Sequence, residues 1–298
     1  MKNIVKSILI VCVLILSVLI SSCNYTQTAI IPPHRLQWWL EDINWDSNRT
    51  NYTGNGIRIA VIDSGVDFNH PDLKHCIEKE IKVSSLSNHS SNNDVLHGTA
   101  VAGIIAGYPS SEKGVLGVAP NSHIISIDVT DDEDGKVSIN SLIEGINLAK
   151  NENVDIISIS VGIQNDYQSL HDAIKDAYNE NIIIVASAGN FTDDKVLYPS
   201  SYEEVICVGS KSKEGNVLFP KNYDENNIVY LPGENIVTAL PNGEYGATFG
   251  TSVSVPILTG TIALMLEANP KLNSKDIYCY FSEYGLNDFD VLKCIKMK

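Results

Sequence analysis

Residues 57–65 read Ile57-Arg58-Ile59-Ala60-Val61-Ile62-Asp63-Ser64-Gly65, a short apolar run that ends on an acidic residue and a glycine. A run of this length and composition is typical of a strand that is buried on both faces. Four similar runs follow along the chain, with helix-like segments between them. This alternation predicts one α/β domain, in which helices cover both faces of a parallel sheet. The predicted strands are 57–62, 123–129, 155–160, 182–188 and 205–209, and the predicted helices are 98–106, 138–150 and 169–179.

Three residues with catalytic potential lie at the ends of these segments. Asp63 ends the first strand, His97 opens a helix, and Ser252 precedes the apolar run 257–266. Each residue alone has an ordinary explanation, as a turn residue, a polar surface residue or a helix cap. Functional groups gather at the carboxyl ends of strands in sheets of this kind. We therefore expect the three side chains to meet at one edge of the sheet.

Together, these three residues have the chemistry of a nucleophilic triad. A serine hydroxyl is a weak nucleophile until an imidazole accepts its proton, and a carboxylate must hold the tautomer of the imidazole and stabilise its charge. The chain order Asp63, His97, Ser252 differs from the order in chymotrypsin and in α/β-hydrolases. Ser254 also argues against an α/β-hydrolase, whose nucleophile turn requires a glycine there.

Three blocks of the sequence resemble the subtilisin-like serine peptidases. Residues 61–67 and 70–73 resemble the aspartate block, residues 97–103 and 114–120 the histidine block, and residues 243–256 the serine block. The similarity runs from about Trp38 to near the C-terminus. It implies a subtilisin-like three-layer α/β fold, in which a mostly parallel central sheet has helices on both faces. It also implies serine endopeptidase activity, with Asp63, His97 and Ser252 as the catalytic triad.

The resemblance implies further site residues. Asn190 matches the oxyanion-hole asparagine, whose amide stabilises the developing oxyanion together with the backbone N–H of Ser252. The segment 160–162 resembles the strand that pairs with an extended peptide substrate. Two carboxylates after Asn190 favour Lys or Arg on the amino side of the cleaved bond, although a solvated loop explains them equally well. The implied substrate-binding residues are Ser160, Val161, Gly162, Ala188, Gly189, Asp193 and Asp194.

Some positions depart from the family pattern. Ala100 stands where many relatives have a second histidine, and Val253 and Val255 replace the usual residues beside the nucleophile. None of these is a reacting group, so activity is still expected. The resemblance implies that no cofactor is required. It leaves a structural calcium ion open, because Asp72 matches a ligand but the loop 107–113 lacks the expected asparagines.

The N-terminus has the composition of an export signal. Lys2 and Lys6 precede the apolar run 8–20, which is too short to span a bilayer comfortably. The run ends at residues 20–23, Ile-Ser-Ser-Cys, which resemble a bacterial lipobox; the alternative is an ordinary signal peptide with a chance cysteine. We therefore predict a lipoprotein signal peptide at 1–22, a tether at 23–37 that begins with lipidated Cys23, and a subtilisin-like peptidase domain at 38–298. The expected location is the extracellular face of the bacterial cytoplasmic membrane.

Composition limits the partners and the cysteine chemistry. The formal net charge of -15 disfavours nucleic acid and anionic lipid as main partners, and solubility is its simplest explanation. The expected partners are an extended peptide or protein substrate and, through the lipid, the membrane; the protein is expected to be a monomer. Cys207 lies in a buried-strand pattern and is expected to be a packed free thiol. Cys279 and Cys294 are the one pair considered for a disulfide bridge.

Two functions compete within the enzyme class. Too few residues lie between Cys23 and Trp38 for a folded inhibitory prodomain, which suggests a maturation protease that removes a leader from an exported precursor. Lantibiotic leader peptidases are members of the resembled family with such a role. The alternative is a general extracellular scavenging protease. A catalytically silent, lipid-anchored binding module and an esterase are less favoured, because all four catalytic residues are present and the peptide-pairing strand suits a peptide.

Overall fold

The computed structural model describes residues 37–45, 51–83, 95–130, 136–190, 196–220, 228–282 and 289–297. Within these ranges, an eight-stranded sheet lies between two layers of helices. The strands are β1 (Arg58–Asp63), β2 (Ile77–Lys82), β3 (His123–Asp128), β4 (Ile156–Ile159), β5 (Ile183–Ser187), β6 (Val205–Lys211), β7 (Val217–Phe219), β8 (Ile228–Pro232), β9 (Ile236–Leu240) and β10 (Glu244–Thr248). The helices are α1 (Trp38–Asp42), α2 (Leu96–Ala106), α3 (Ile139–Asn151), α4 (Gln168–Asn179), α5 (Thr251–Ala268), α6 (Ser274–Ser282) and α7 (Val291–Cys294).

The main sheet has the order β2-β3-β1-β4-β5-β6-β7, and β8 also pairs with β6. All these pairings are parallel except the antiparallel pairing of β6 with β7. Strands β9 and β10 form a separate antiparallel pair. The predicted parallel sheet is therefore confirmed, and the five predicted strands differ from the observed ones by at most two residues at either end.

Burial on both faces explains why the central strands are continuous apolar runs. In β1, Ile59 and Val61 pack into the core under α2 and α5, whereas Ala60 and Ile62 pack into the core under α3 and α4. Successive side chains of a strand point to opposite faces, so each residue of β1 has apolar neighbours. The result is a three-layer fold with one hydrophobic core on each face of the sheet.

Helix α5 is both long and apolar. It is 18 residues long with a mean hydropathy of 1.4, which is sufficient in length and composition to cross a membrane. However, 89% of it is buried inside the domain, where it packs against the sheet. Its hydropathy therefore reflects its position as a core helix.

The segment 37–45 packs on the domain from outside the sheet. Trp39 is fully buried and donates its indole N–H to the carbonyl of Val237 at 3.4 Å. The Gln37 side chain donates to the carbonyl of Leu116 at 2.8 Å and accepts its N–H at 3.0 Å. The carbonyl of Ile43 accepts the N–H of Val291, so this segment also contacts α7.

No disulfide bridge joins the cysteines in the described part of the chain. Burial raises the pKa of Cys207 to about 12, so this thiol stays protonated and acts as a small apolar residue, as predicted. The bridge considered between Cys279 and Cys294 is wrong. Cys279 is exposed on α6, whereas Cys294 is buried beside the hydroxyl of Tyr280. The two thiols therefore lie in different environments and do not form a disulfide bridge with each other.

Candidate active site

The side chains of Asp63 and His97 are joined at the carboxyl end of β1. Nδ1 of His97 lies 2.8 Å from Oδ1 and 3.0 Å from Oδ2 of Asp63. The carboxylate is only 1% exposed, and its Oδ1 also accepts the N–H of Ser64 at 2.8 Å. Because a carboxylate only accepts, Nδ1 must be the donor. Proton exchange with a substrate or a nucleophile is then the task of Nε2.

A glycine allows His97 to approach β1 this closely. His97 lies in the first turn of α2, and Gly98 follows it. A Cβ atom on Gly98 would lie only 2.0 Å from the carbonyl oxygen of Gly65 and 3.4 Å from Cβ of Asp63. Any larger residue at position 98 would therefore push the helix away from the strand that carries the carboxylate.

Ser252 is the second residue of α5 and is 8% exposed. Its backbone carbonyl accepts a hydrogen bond from Oγ of Ser160 at 2.9 Å. Ser160 follows β4, the neighbour of β1, and the last residue of β4 pairs with Ile62. The first turn of α5 is thus anchored where β1 ends. The structure brings the three predicted triad residues to the same edge of the sheet.

The Asn190 side chain is oriented by the residue before Ser252. Its Oδ1 accepts the backbone N–H of Thr251 at 2.8 Å and the Thr251 hydroxyl at 3.0 Å. Because a backbone N–H only donates, the amide oxygen must face Thr251, which leaves Nδ2 as the donor for a ligand. Gly250 has φ +114°, and a Cβ atom there would lie 2.8 Å from Nδ2 of Asn190. Thr251 is not among the predicted site residues, although its position beside Ser252 was an available signal.

The predicted peptide-binding segments directly follow β4 and β5, two neighbouring strands of this sheet. Val161 is partly exposed and Gly162 is exposed, so their backbone is accessible to an extended chain. Ala188 and Gly189 are buried, and the carbonyl of Ala188 accepts the N–H of Leu197 at 3.0 Å. The remaining predicted site residues, Asp193, Asp194 and Cys23, lie outside the described residues.

Asp72 holds a loop by hydrogen bonds. It is fully buried, its Oδ1 accepts the N–H of Ser110 at 2.8 Å, and its Oδ2 accepts the N–H of Val115 at 2.9 Å. Burial, with the Asp72 carboxylate nearby, raises the pKa of Tyr245. In the described part of the chain, no three His, Cys, Asp or Glu side chains cluster as metal ligands. Asp72 therefore fixes the loop backbone, and calcium binding at this position stays a prediction.

Comparison with known proteins agrees with this geometry. The model of the Subtilase family matches residues 54–281. The major intracellular serine protease of Bacillus subtilis (strain 168) is 36% identical over an alignment of 225 residues, which covers 71% of this chain and 69% of that protein. A subtilisin of Bacillus pumilus is 34% identical over 223 residues, 74% of this chain and 80% of the relative.

A solved structure gives the same result in three dimensions. The protease domain of PatA, solved as a mutant, matches with a TM-score of 0.68 and 26% identity, over 76% of this chain and 86% of that domain. The subtilisin-like fold is therefore confirmed. The family model covers most of the chain, and the relatives that match at 34–36% identity are serine proteases. The chain therefore belongs to the subtilase family and is a serine endopeptidase.

Proposed function

We propose that this protein is a lipid-anchored processing peptidase, which cleaves an exported peptide or protein precursor through Asp63, His97 and Ser252. The hydrogen bond from His97 to the buried Asp63 carboxylate, next to the anchored first turn of α5, is the observation that carries the catalytic part. Removal of a leader from the precursor is the role we favour, and general extracellular proteolysis is the alternative.

The proposed reaction proceeds through an acyl-enzyme. Oγ of Ser252 attacks the carbonyl carbon of the scissile bond, and its proton passes to Nε2 of His97. The same proton is then given to the leaving amine as the C–N bond breaks. Water hydrolyses the resulting ester by the same route, with His97 as the base. Asp63 stabilises the imidazolium in both steps, because it is already hydrogen-bonded to Nδ1.

Two donors stabilise the oxyanion in this proposal. Nδ2 of Asn190 is one, since Thr251 holds the amide oxygen. The backbone N–H of Ser252 is the other, because the N–H groups in the first turn of a helix have no partner within the helix. The positive end of the α5 dipole adds to the stabilisation.

The change Asn190→Ala tests this assignment. It is expected to lower kcat by about 100- to 1,000-fold with little change in KM, because the amide acts mainly on charge that develops in the transition state. Steady-state kinetics on a peptide substrate measures both constants. Asn121→Ala is the matched control, since that exposed amide bonds Thr53 beyond the amino end of β3. An increased KM with unchanged kcat would make Asn190 a ground-state contact instead.

The substrate is proposed to bind as an extended strand beside residues 160–162. This mode recognises backbone groups, so it suits flexible segments such as leaders and linkers. The basic preference attributed to Asp193 and Asp194 stays a prediction.

A cleavage profile separates processing from scavenging. The enzyme is incubated with a library of unstructured peptides, and the products are identified by mass spectrometry. We expect few cleavage sites, with Lys or Arg on the amino side, and loss of this preference in the Asp193→Asn/Asp194→Asn double variant. Many sites without a basic preference, unchanged in the double variant, would identify a scavenging protease.

Lipid anchoring through Cys23 is proposed from the lipobox-like sequence. Two acyl chains give stable membrane binding, whereas one gives only marginal binding. Metabolic labelling with a fatty acid is expected to label the wild-type protein and the control Cys279→Ala, whose exposed thiol lies on α6. Cys23→Ala should lose both the label and the membrane association. A label that persists in Cys23→Ala would refute the assignment.

A further inference from the structure

We infer that the Ser160 hydroxyl positions the nucleophile Ser252 by donating a hydrogen bond to its backbone carbonyl. Within α5 this carbonyl has no N–H donor four residues later, because that residue is Pro256. This gives the Ser160 side chain a role separate from peptide binding by the backbone of residues 160–162. The inference rests on the proposed function of Ser252.

Helix geometry explains why the carbonyl of Ser252 needs another donor. In an α-helix, the carbonyl of one residue accepts the N–H of the residue four positions later. For Ser252 that residue is Pro256, which has no N–H and lies inside α5. Ser252 is 8% exposed and Ser160 is 7% exposed, so the carbonyl is largely shielded from water. The Ser160 hydroxyl donates to it at 2.9 Å.

The position of Ser160 makes this bond relevant to catalysis. Ser160 follows the last residue of β4, which pairs with Ile62, so it lies level with Asp63. One hydroxyl thus joins the sheet edge that carries the carboxylate to the residue that carries the nucleophile. Thr251, one residue before Ser252, is fixed by its bond to Asn190. With both bonds present, the first turn of α5 is held at two successive residues.

A double-mutant cycle with Ser160→Ala, Pro256→Ala and the double variant tests this role of Ser160. The measured quantity is the rate constant of inactivation by a sulfonyl fluoride, which reports on serine reactivity without peptide binding. Ser160→Ala is expected to lose about 10- to 100-fold in this rate constant and in kcat, with KM within about twofold, because small displacements of reacting groups are costly. The double variant should recover most of the loss, since the N–H of an alanine at 256 can donate to the Ser252 carbonyl.

A matched control lies two residues earlier on β4. Oγ of Ser158 is also buried and accepts a hydrogen bond from the Thr259 hydroxyl of the same helix, at 3.2 Å. Ser158→Ala should leave the inactivation rate unchanged. If Ser160→Ala does not fold, Ser160→Thr and Ser160→Val provide the comparison, because only threonine keeps the hydroxyl. Thermal unfolding of each variant separates a loss of reactivity from a loss of fold.

Two outcomes would overturn the inference. One is a Ser160→Ala inactivation rate within about twofold of wild type, which would show that the bond does not affect reactivity. The other is a folded double variant no more reactive than Ser160→Ala, which would show no coupling between the two positions. Mass spectrometry of the labelled protein keeps the proposed function separate. Label on a residue other than Ser252 would refute the triad, whereas label on Ser252 at an unchanged rate would refute only the role of Ser160.

Discussion

Ser252→Ala is expected to lower kcat for peptide hydrolysis by about 10⁴- to 10⁶-fold, because no acyl-enzyme can form without Oγ. The fold should be retained, since the contact that anchors this residue uses its backbone carbonyl and not its side chain. Activity is measured on a peptide substrate, and the fold is checked by circular dichroism and thermal unfolding.

The control for this change is Ser282→Ala. Its hydroxyl bonds the carbonyl of Cys279 at the end of α6, and its loss should leave kcat unchanged. Ser252→Ala activity within tenfold of wild type would rule out Ser252 as the nucleophile. The family assignment would then still stand, but another group would have to attack the scissile bond.

Asp63→Asn is expected to lower kcat by about 10⁴-fold at neutral pH. The N–H of Ser64 already bonds Oδ1, so the amide oxygen of an asparagine would take that place. Its NH₂ group would then face Nδ1 of His97 and donate to it. His97 would carry its proton on Nε2 and could not accept the proton of Ser252. The pH dependence of kcat measures the loss.

Asp155→Asn is a matched control for this prediction. Asp155 accepts the N–H of Arg58 at 2.8 Å, at the opposite edge of the same sheet. Its replacement should affect stability more than kcat. If Asp63→Asn retained kcat within tenfold, then Asp63 would not determine the tautomer of His97, and the proposed triad would lack its carboxylate.

The sequence predicted the central strands well because both of their faces are buried. Most residues of such a strand are apolar, so the pattern is visible in the local sequence. Strand β2 was not predicted, because it lacks this continuous apolar pattern. It lies at the edge of the sheet, and its residues Ile77–Lys82 are mostly charged and exposed. Its strand conformation depends on pairing with β3, which lies more than forty residues further along the chain.

The catalytic site likewise combines residues that the local sequence reveals with contacts between residues far apart in the chain. The sequence blocks placed Asp63, His97 and Ser252 at the ends of elements, and the structure places them at one edge. The orientation of Asn190 could not be predicted, because it depends on Thr251, 61 positions later. The bond from Ser160 to Ser252 spans 92 positions. Only the folded chain brings such partners together, and the catalytic roles themselves stay predictions for the variants above.

The contact between the two ends of the described chain affects the order in which the domain can fold. The side chain of Asn44 bonds Asp290, 246 positions later, and the carbonyl of Ile43 bonds the N–H of Val291. Contacts this distant form only after the intervening residues have been synthesised. Ile43 therefore lacks its contact with Val291 while the ribosome is still synthesising the strands of the sheet. A nascent chain truncated before α7 would therefore leave segment 37–45 without its contacts to Asp290 and Val291.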